Sequence, residues 1–218
     1  MDIRIKDVIT YIVTSLGVIA MWVFALAFAV AILASYANAA EIKGSVSKDG
    51  SYASIHVYGT ITVGDAAEIQ ERVESAPVKV KYLHLNSEGG VVTEGWEIAS
   101  IAREHKLETV VNNKCASACT YAFMGGVKRW IKTDTYKMGY HPAHIEQFNG
   151  DMGLNEIYDM GQTHAIRTIT SYAAYVDSGE EWNLLRFIQR VYNTVSYKEM
   201  YWANVDELVE ANIVTHTY

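Results

Sequence analysis

From Tyr52 onward the chain alternates between short segments rich in β-branched and aromatic residues and longer segments with helical spacing. Strand-like alternation appears at Tyr52–Val57, and Val78–Leu85 and Leu107–Val111 are similar in composition. Between them lie helical patterns over Asp65–Ser75 and Thr93–His105. Strands separated by helices bury their apolar faces by layering, so the pattern predicts an α/β fold around a mostly parallel sheet. The pattern continues as a small-residue apolar helix over Ser117–Gly125, then strands at Arg129–Thr133 and Tyr136–Tyr140. Helices are predicted over Asn155–Val176 and Glu180–Tyr192. The tail reads as a helix, Asp206–Ala211, closing onto a last strand, Ile213–Thr215.

The chain of 218 residues has room for one domain and an accessory segment. Half its residues are apolar, which supports a real core. A formal net charge of -7 and the lack of a basic run argue against nucleic-acid binding. The accessory segment is N-terminal. Val8–Ala34 is a stretch of roughly 27 residues without a charge, longer than the ~20 that a bilayer-spanning helix needs. It ends in Ala37-Asn38-Ala39-Ala40, which has the small residues of a signal-peptidase site. Two readings stay open: a retained membrane anchor, or a signal peptide cleaved near Ala39. In both, Arg4 and Lys6 stay inside and the domain lies on the extracytoplasmic side. The expected organisation is residues 1–39 as anchor or signal, 40–51 as connector, and 52–218 as the domain.

Three segments carry candidate chemistry. Asn86-Ser87-Glu88-Gly89-Gly90-Val91-Val92-Thr93-Glu94-Gly95 joins a strand to a helix, and its paired glycines can turn amides toward a bound group. Cys115-Ala116-Ser117-Ala118-Cys119 follows a strand and opens an apolar helix, where a serine is either a simple N-cap or a nucleophile beside oxyanion-binding amides. Tyr140-His141-Pro142-Ala143-His144 follows about two dozen residues on. Helical positions four apart hold their Cβ atoms about 5–6 Å apart, beyond disulfide reach near 3.8 Å. Cys115 and Cys119 are therefore expected to be small buried apolar residues. A disulfide is open to them if Cys115 precedes the helix in an oxidising compartment.

Taken together, these segments resemble the proteolytic subunit of Clp protease. Asn86, Ser87, Gly89, Gly90, Val92 and Gly95 match that family's Asn-Ser-Pro-Gly-Gly segment, and Ser117-Ala118 match its nucleophile context. His141-Pro142 stand at the place of its His-Gln-Pro, and Asn212-Ile213-Val214 look like its closing Gly-Leu-Val. The resemblance covers roughly Ile55–Thr215. It implies a Clp-protease and crotonase-type fold and acyl transfer on a peptide or protein substrate. Ser117 would be the nucleophile and His141 the base, with the amides of Gly90 and Ala118 as oxyanion hole and Gly89 and Val91 at the substrate. It implies neither cofactor nor metal, and a homo-oligomer. An ATPase partner is not expected outside the cytoplasm.

Two departures stand out. Glu88 replaces the usual proline, and the family's acid falls near Ser196, where no carboxylate stands. A neutral group from Asn193–Ser196 is expected in the third position, or none. The alternative is a catalytically silent, membrane-tethered binding or assembly module that keeps the fold. Two enzyme classes of the same fold fit less well. Signal-peptide peptidases would need a dyad lysine from Lys128, Lys132 or Lys137, none of which stands in a matching place, and enoyl-CoA hydratases would need a carboxylate and a CoA pocket.

Overall fold

The computed structural model describes residues 21–23, 39–133, 137–141, 168, 170–176, 179–196 and 199–218. By its internal contacts the chain divides into Met1–Ala39 and Ala40–Tyr218. Of the predicted span Val8–Ala34 only Met21–Val23 is described, and it is helical. Among the described residues no helix is long and apolar enough to cross a membrane. The helix predicted over Asn155–Val176 also lies mostly outside them, and so do Pro142 and His144.

The second unit is an α/β sheet. Its strands are β1 Glu41–Val46, β2 Ala53–Tyr58, β3 Val80–Ser87, β4 Glu108–Ala116, β5 Arg129–Ile131, β6 Lys137–Tyr140, β7 Tyr201–Ala203 and β8 His216–Thr217. Its helices are α1 Asp65–Ser75, α2 Val92–Glu104, α3 Ala118–Met124, α4 Glu181–Thr194 and α5 Val205–Glu210. The strands run in the order β1-β2-β3-β4-β5-β8, with β6 paired to β4 and β7 paired to β6. Only β1–β2 and β6–β7 are antiparallel. The expected parallel character therefore holds.

Alternation decides which face is covered. On β3, Leu83 and Leu85 are fully buried while Tyr82 and His84 are half-buried; on β2, Ile55 and Val57 are buried while His56 is not. The buried set joins Ala66 and Ile69 of α1, Ile98 and Ala102 of α2, and Ala122 and Phe123 of α3 in one core. Glu94 strengthens this layer. Its carboxylate accepts from the N–H groups of Gly64 and Ala66, at 3.1 and 2.9 Å, at the start of α1. That supplies a cap and a charge that suit a helix N-terminus.

Three elements differ from expectation. Residues 40–51 are not a connector: Glu41–Val46 is β1, pairing antiparallel with β2 from Glu41↔Tyr58 to Val46↔Ala53. Asp49 holds the turn between them by accepting from the Ser47 and Ser51 hydroxyls at 2.7 Å, which keeps its carboxyl low, at about 2. β1 is an edge strand with one buried residue, Ile42, so it lacks the alternation that marks a half-buried strand. Strand β4 runs on past Val111 to Ala116 through the polar run Asn112-Asn113-Lys114. The last strand is His216–Thr217 rather than Ile213–Thr215.

The other sheet face carries an aromatic row. The His56 and His84 rings stack at 4.5 Å, with Ser45 Oγ 2.9 Å from His56 Nε2 and Asn112 Oδ1 3.0 Å from His84 Nδ1. Burial holds both imidazoles below their ordinary value, and for His56 the neighbouring His84 adds to it. In the unfolded chain each takes up a proton near pH 6.5; in the fold it does so only at lower pH. Between those points the unfolded state binds more protons, so stability falls as pH falls. Thermal melts are expected to show Tm dropping as the pH is lowered from 7 to 5, with a shallower drop for His84→Gln. Parallel slopes for the two proteins would remove these residues from the account.

Candidate active site

Sheet register assembles the site. β4 outruns β5, and its last residues pair with β6 instead: Cys115 opposite Met138 and Ala116 opposite Gly139. The ladder's last step is the Ser117 N–H, which donates to the Gly139 carbonyl at 3.0 Å. Two residues beyond Gly139, His141 leaves the same strand end. Its Nε2 lies 2.8 Å from Ser117 Oγ, within normal hydrogen-bond reach.

Ser117 sits at a sharp strand-to-helix turn, with φ 52° and ψ -124°. A non-glycine residue at positive φ is uncommon and costs on the order of 1–3 kcal/mol. Of the two roles that the sequence left open for Ser117, the N-cap is not taken up: its side chain makes no capping bond. Its hydroxyl is turned to the histidine. A strained serine displayed between a strand and a helix, with a base in reach, is the geometry of an activated nucleophile. Its carbonyl is held by Thr120, whose N–H and hydroxyl donate to it at 2.9 and 2.6 Å.

The glycine pair lies against this turn. A Cβ on Gly89 would meet Ala116 O at 2.6 Å and Ser117 Cβ at 2.7 Å, so only glycine allows the approach. Gly90 forms a parallel bridge with Ile61, in which Ile61 N–H donates to Gly89 O and Val91 N–H donates to Ile61 O. These bonds commit Gly89 C=O and Val91 N–H inside the fold. Gly90, the bridged residue itself, turns its N–H away from Ile61. Ala118 is the first residue of α3, and its amide is among those that a helix leaves without an internal acceptor. Ser87 Oγ accepts from Gly89 N–H at 3.0 Å and steadies the turn. Glu88, at the family's proline position, is exposed and pairs with Lys114.

Ser117, His141 and Gly90 open onto a cleft of about 600 Å³. Beyond them its walls are mainly apolar and aromatic, including Ile61, Tyr140, Tyr172 and Ile188. Tyr172 is buried, with its hydroxyl 2.5 Å from Thr120 Oγ1, and it stacks on Tyr121 at 5.0 Å. Burial raises the hydroxyl pKa of Tyr121 to about 12 and that of Tyr172 well above its usual value. Both stay neutral at physiological pH and serve as hydroxyl donors or packing groups. Thr120 and Tyr172 drew no notice in the sequence, where a Thr and a Tyr in helical patterns carry no special signal.

Asn193 and Ser196 are not brought to the histidine. Asn193 is exposed on α4, and Ser196 Oγ donates to Glu199 Oε2 at 3.2 Å. No hydrogen bond among the described residues joins either of them to His141.

The cysteines correct a second expectation. Cys115 and Cys119 form a disulfide, with Cα atoms 5.2 Å apart, and both are fully buried. Cys115 lies in a strand, one residue before its end, and Cys119 lies in the first turn of α3, so the spacing of two helical positions does not apply. The bond also removes both thiolates as metal ligands.

No family model matches the sequence, and no curated protein matches it. Among solved structures the chain is similar to ClpP1 from Listeria monocytogenes, at 17% identity and TM-score 0.52. It is also similar to a point mutant of that protein, at 16% identity and TM-score 0.54. Each likeness covers 76% of this chain and 90% of the other. At such identity this is a likeness of fold: the sheet and its helices are of the Clp-protease type.

Proposed function

We propose that the unit Ala40–Tyr218 is a serine-type peptidase acting by acyl transfer. The observation that carries the reading is the 2.8 Å approach of His141 Nε2 to Ser117 Oγ, made at a strained strand-to-helix turn that opens onto a cleft. In this mechanism Ser117 Oγ attacks the carbonyl carbon of a peptide and its proton passes to His141 Nε2. The negative charge that gathers on the carbonyl oxygen is met by the N–H groups of Gly90 and Ala118, donors worth about 3–4 kcal/mol each in comparable enzymes. Collapse of this intermediate expels the amine, which takes the proton from Nε2. Water then repeats the sequence on the acyl-enzyme, with His141 again as base.

The apolar cleft fits extended, unfolded peptides better than charged ones. We place the domain on the extracytoplasmic side of a membrane, as the uncharged stretch Val8–Ala34 suggests. A buried disulfide fits an oxidising compartment. Assembly into a homo-oligomer belongs to the same proposal, and sedimentation velocity is its direct check.

A fluorophosphonate probe tests the chemistry. The full chain is expected to label on one serine, with labelling lost in Ser117→Ala at unchanged near-ultraviolet circular dichroism. A folded wild-type protein that takes up no label would instead favour the silent binding module.

A further inference from the structure

We infer that the Cys115–Cys119 disulfide is a positioning element for Ser117, so that the serine is reactive only in the oxidised chain. This rests on the peptidase reading for its consequence, though not for its geometry.

The bond spans the strained residue. Cys115 lies in β4 between Ser87 of β3 and Met138 of β6, so the sheet fixes it on both sides. Cys119 is on the first turn of α3. The disulfide therefore ties the end of the strand to the start of the helix, and Ser117 is the hinge between them. Two other restraints act on the same residue: its N–H is held by Gly139, and its carbonyl by Thr120. A residue at φ 52° persists only where its surroundings over-determine it. Of these restraints the disulfide is the covalent one.

Its placement also argues against a general staple. The stabilisation that a cross-link gives a whole fold grows with the length of the loop it closes. Here the two residues are four apart, among the shortest loops possible. What such a ring restricts is the turn itself: the angle between strand and helix, and hence the directions of Ser117 Oγ and the Ala118 amide. Both cysteines are fully buried, so a reductant does not reach the bond in the folded protein. The pair acts as a permanent clamp, set when the chain oxidises, rather than as a surface switch.

The test compares the full chain with its C115A/C119A variant by amide exchange and by fluorophosphonate labelling. Exchange is expected to accelerate by about 10-fold or more over residues 114–121 and to stay unchanged in β2 and β3. Labelling is expected to fall by about 10²-fold, the cost of a displacement near 1 Å at a reacting centre. Unchanged exchange over 114–121 overturns the inference, and so does acceleration spread evenly over the sheet. Unchanged labelling in a variant whose turn has loosened overturns it too. If the variant does not fold, the wild type is refolded with and without dithiothreitol and measured in the same way. A chain that folds only when oxidised would show a fold-wide staple and reject the clamp. A wild type silent toward the probe, whose turn still loosens without the bond, keeps the clamp and removes the peptidase reading.

Discussion

Replacing His141 with alanine is expected to slow labelling of Ser117, and hydrolysis of a small activated ester, by about 10⁴-fold or more. The serine hydroxyl is a weak nucleophile without a base. The imidazole Nε2 at 2.8 Å is the acceptor that the geometry offers its proton. Because His141 leaves the end of β6 and is only half-buried, its loss leaves the sheet register intact. Stability should therefore change little while the rate collapses. That split separates a base from a packing residue: a structural histidine would lower Tm and leave the activity per folded molecule alone. Added imidazole is expected to restore part of the rate in His141→Ala and none in Ser117→Ala. An ester hydrolysis rate that is the same in wild type and His141→Ala would remove the histidine from the mechanism.

The second large effect concerns stability. Arg129 begins β5 and is 2% exposed. Its guanidinium donates to Ile213 O at 2.8 Å, Asn212 O at 2.8 Å, Asn212 Oδ1 at 2.9 Å, Tyr175 O at 3.1 Å and Gly126 O at 3.2 Å. One side chain thus binds the C-terminal segment, the loop before β5 and the turn at Tyr175. Arg129→Met keeps the approximate shape and removes every donor. Ile213 O, Asn212 O and Asn212 Oδ1 lose this donor at once, at about 1 kcal/mol or more each, while Gly126 O and Tyr175 O still accept from Arg103, so a loss of about 3–5 kcal/mol is expected. For a domain of this size that lowers Tm by about 10 °C. The check is a denaturant or thermal melt of the variant. A shift within about 1 kcal/mol would mean that water replaces the guanidinium at these carbonyls.

Much of the architecture was legible because it is local. A segment buried on one face must alternate or keep helical spacing, whatever its neighbours are. So α1, β3 and α2 fall within a few residues of their predicted bounds. The capping box that opens α5, Asn204 with Glu207, is local in the same way, with Glu207 N–H donating to Asn204 Oδ1 at 2.9 Å. Asn212 takes the left-handed conformation, φ 52°, that glycine would supply in the Gly-Leu-Val ending it resembles. β1 was illegible for the opposite reason. An edge strand wet on most of its surface has no periodic demand on its side chains, and its partner is chosen by backbone pairing alone.

The residue types of the candidate site were also in the sequence: a serine before an apolar helix, a histidine two dozen residues on, and two glycines before them. What brings them together was not. The approach of His141 to Ser117 depends on β4 running five residues past Val111 and taking β6 as partner there, a pairing that the polar Asn112-Asn113-Lys114 gives no sign of. The positive φ of Ser117 depends on Gly139, Thr120 and the disulfide acting on it at once. The disulfide in turn depends on Cys115 lying in a strand rather than in the first turn of a helix. Each of these is a relation between segments distant in the chain. Periodicity reports how one segment meets the core; register, hinge angle and cross-link are set only when two segments meet each other.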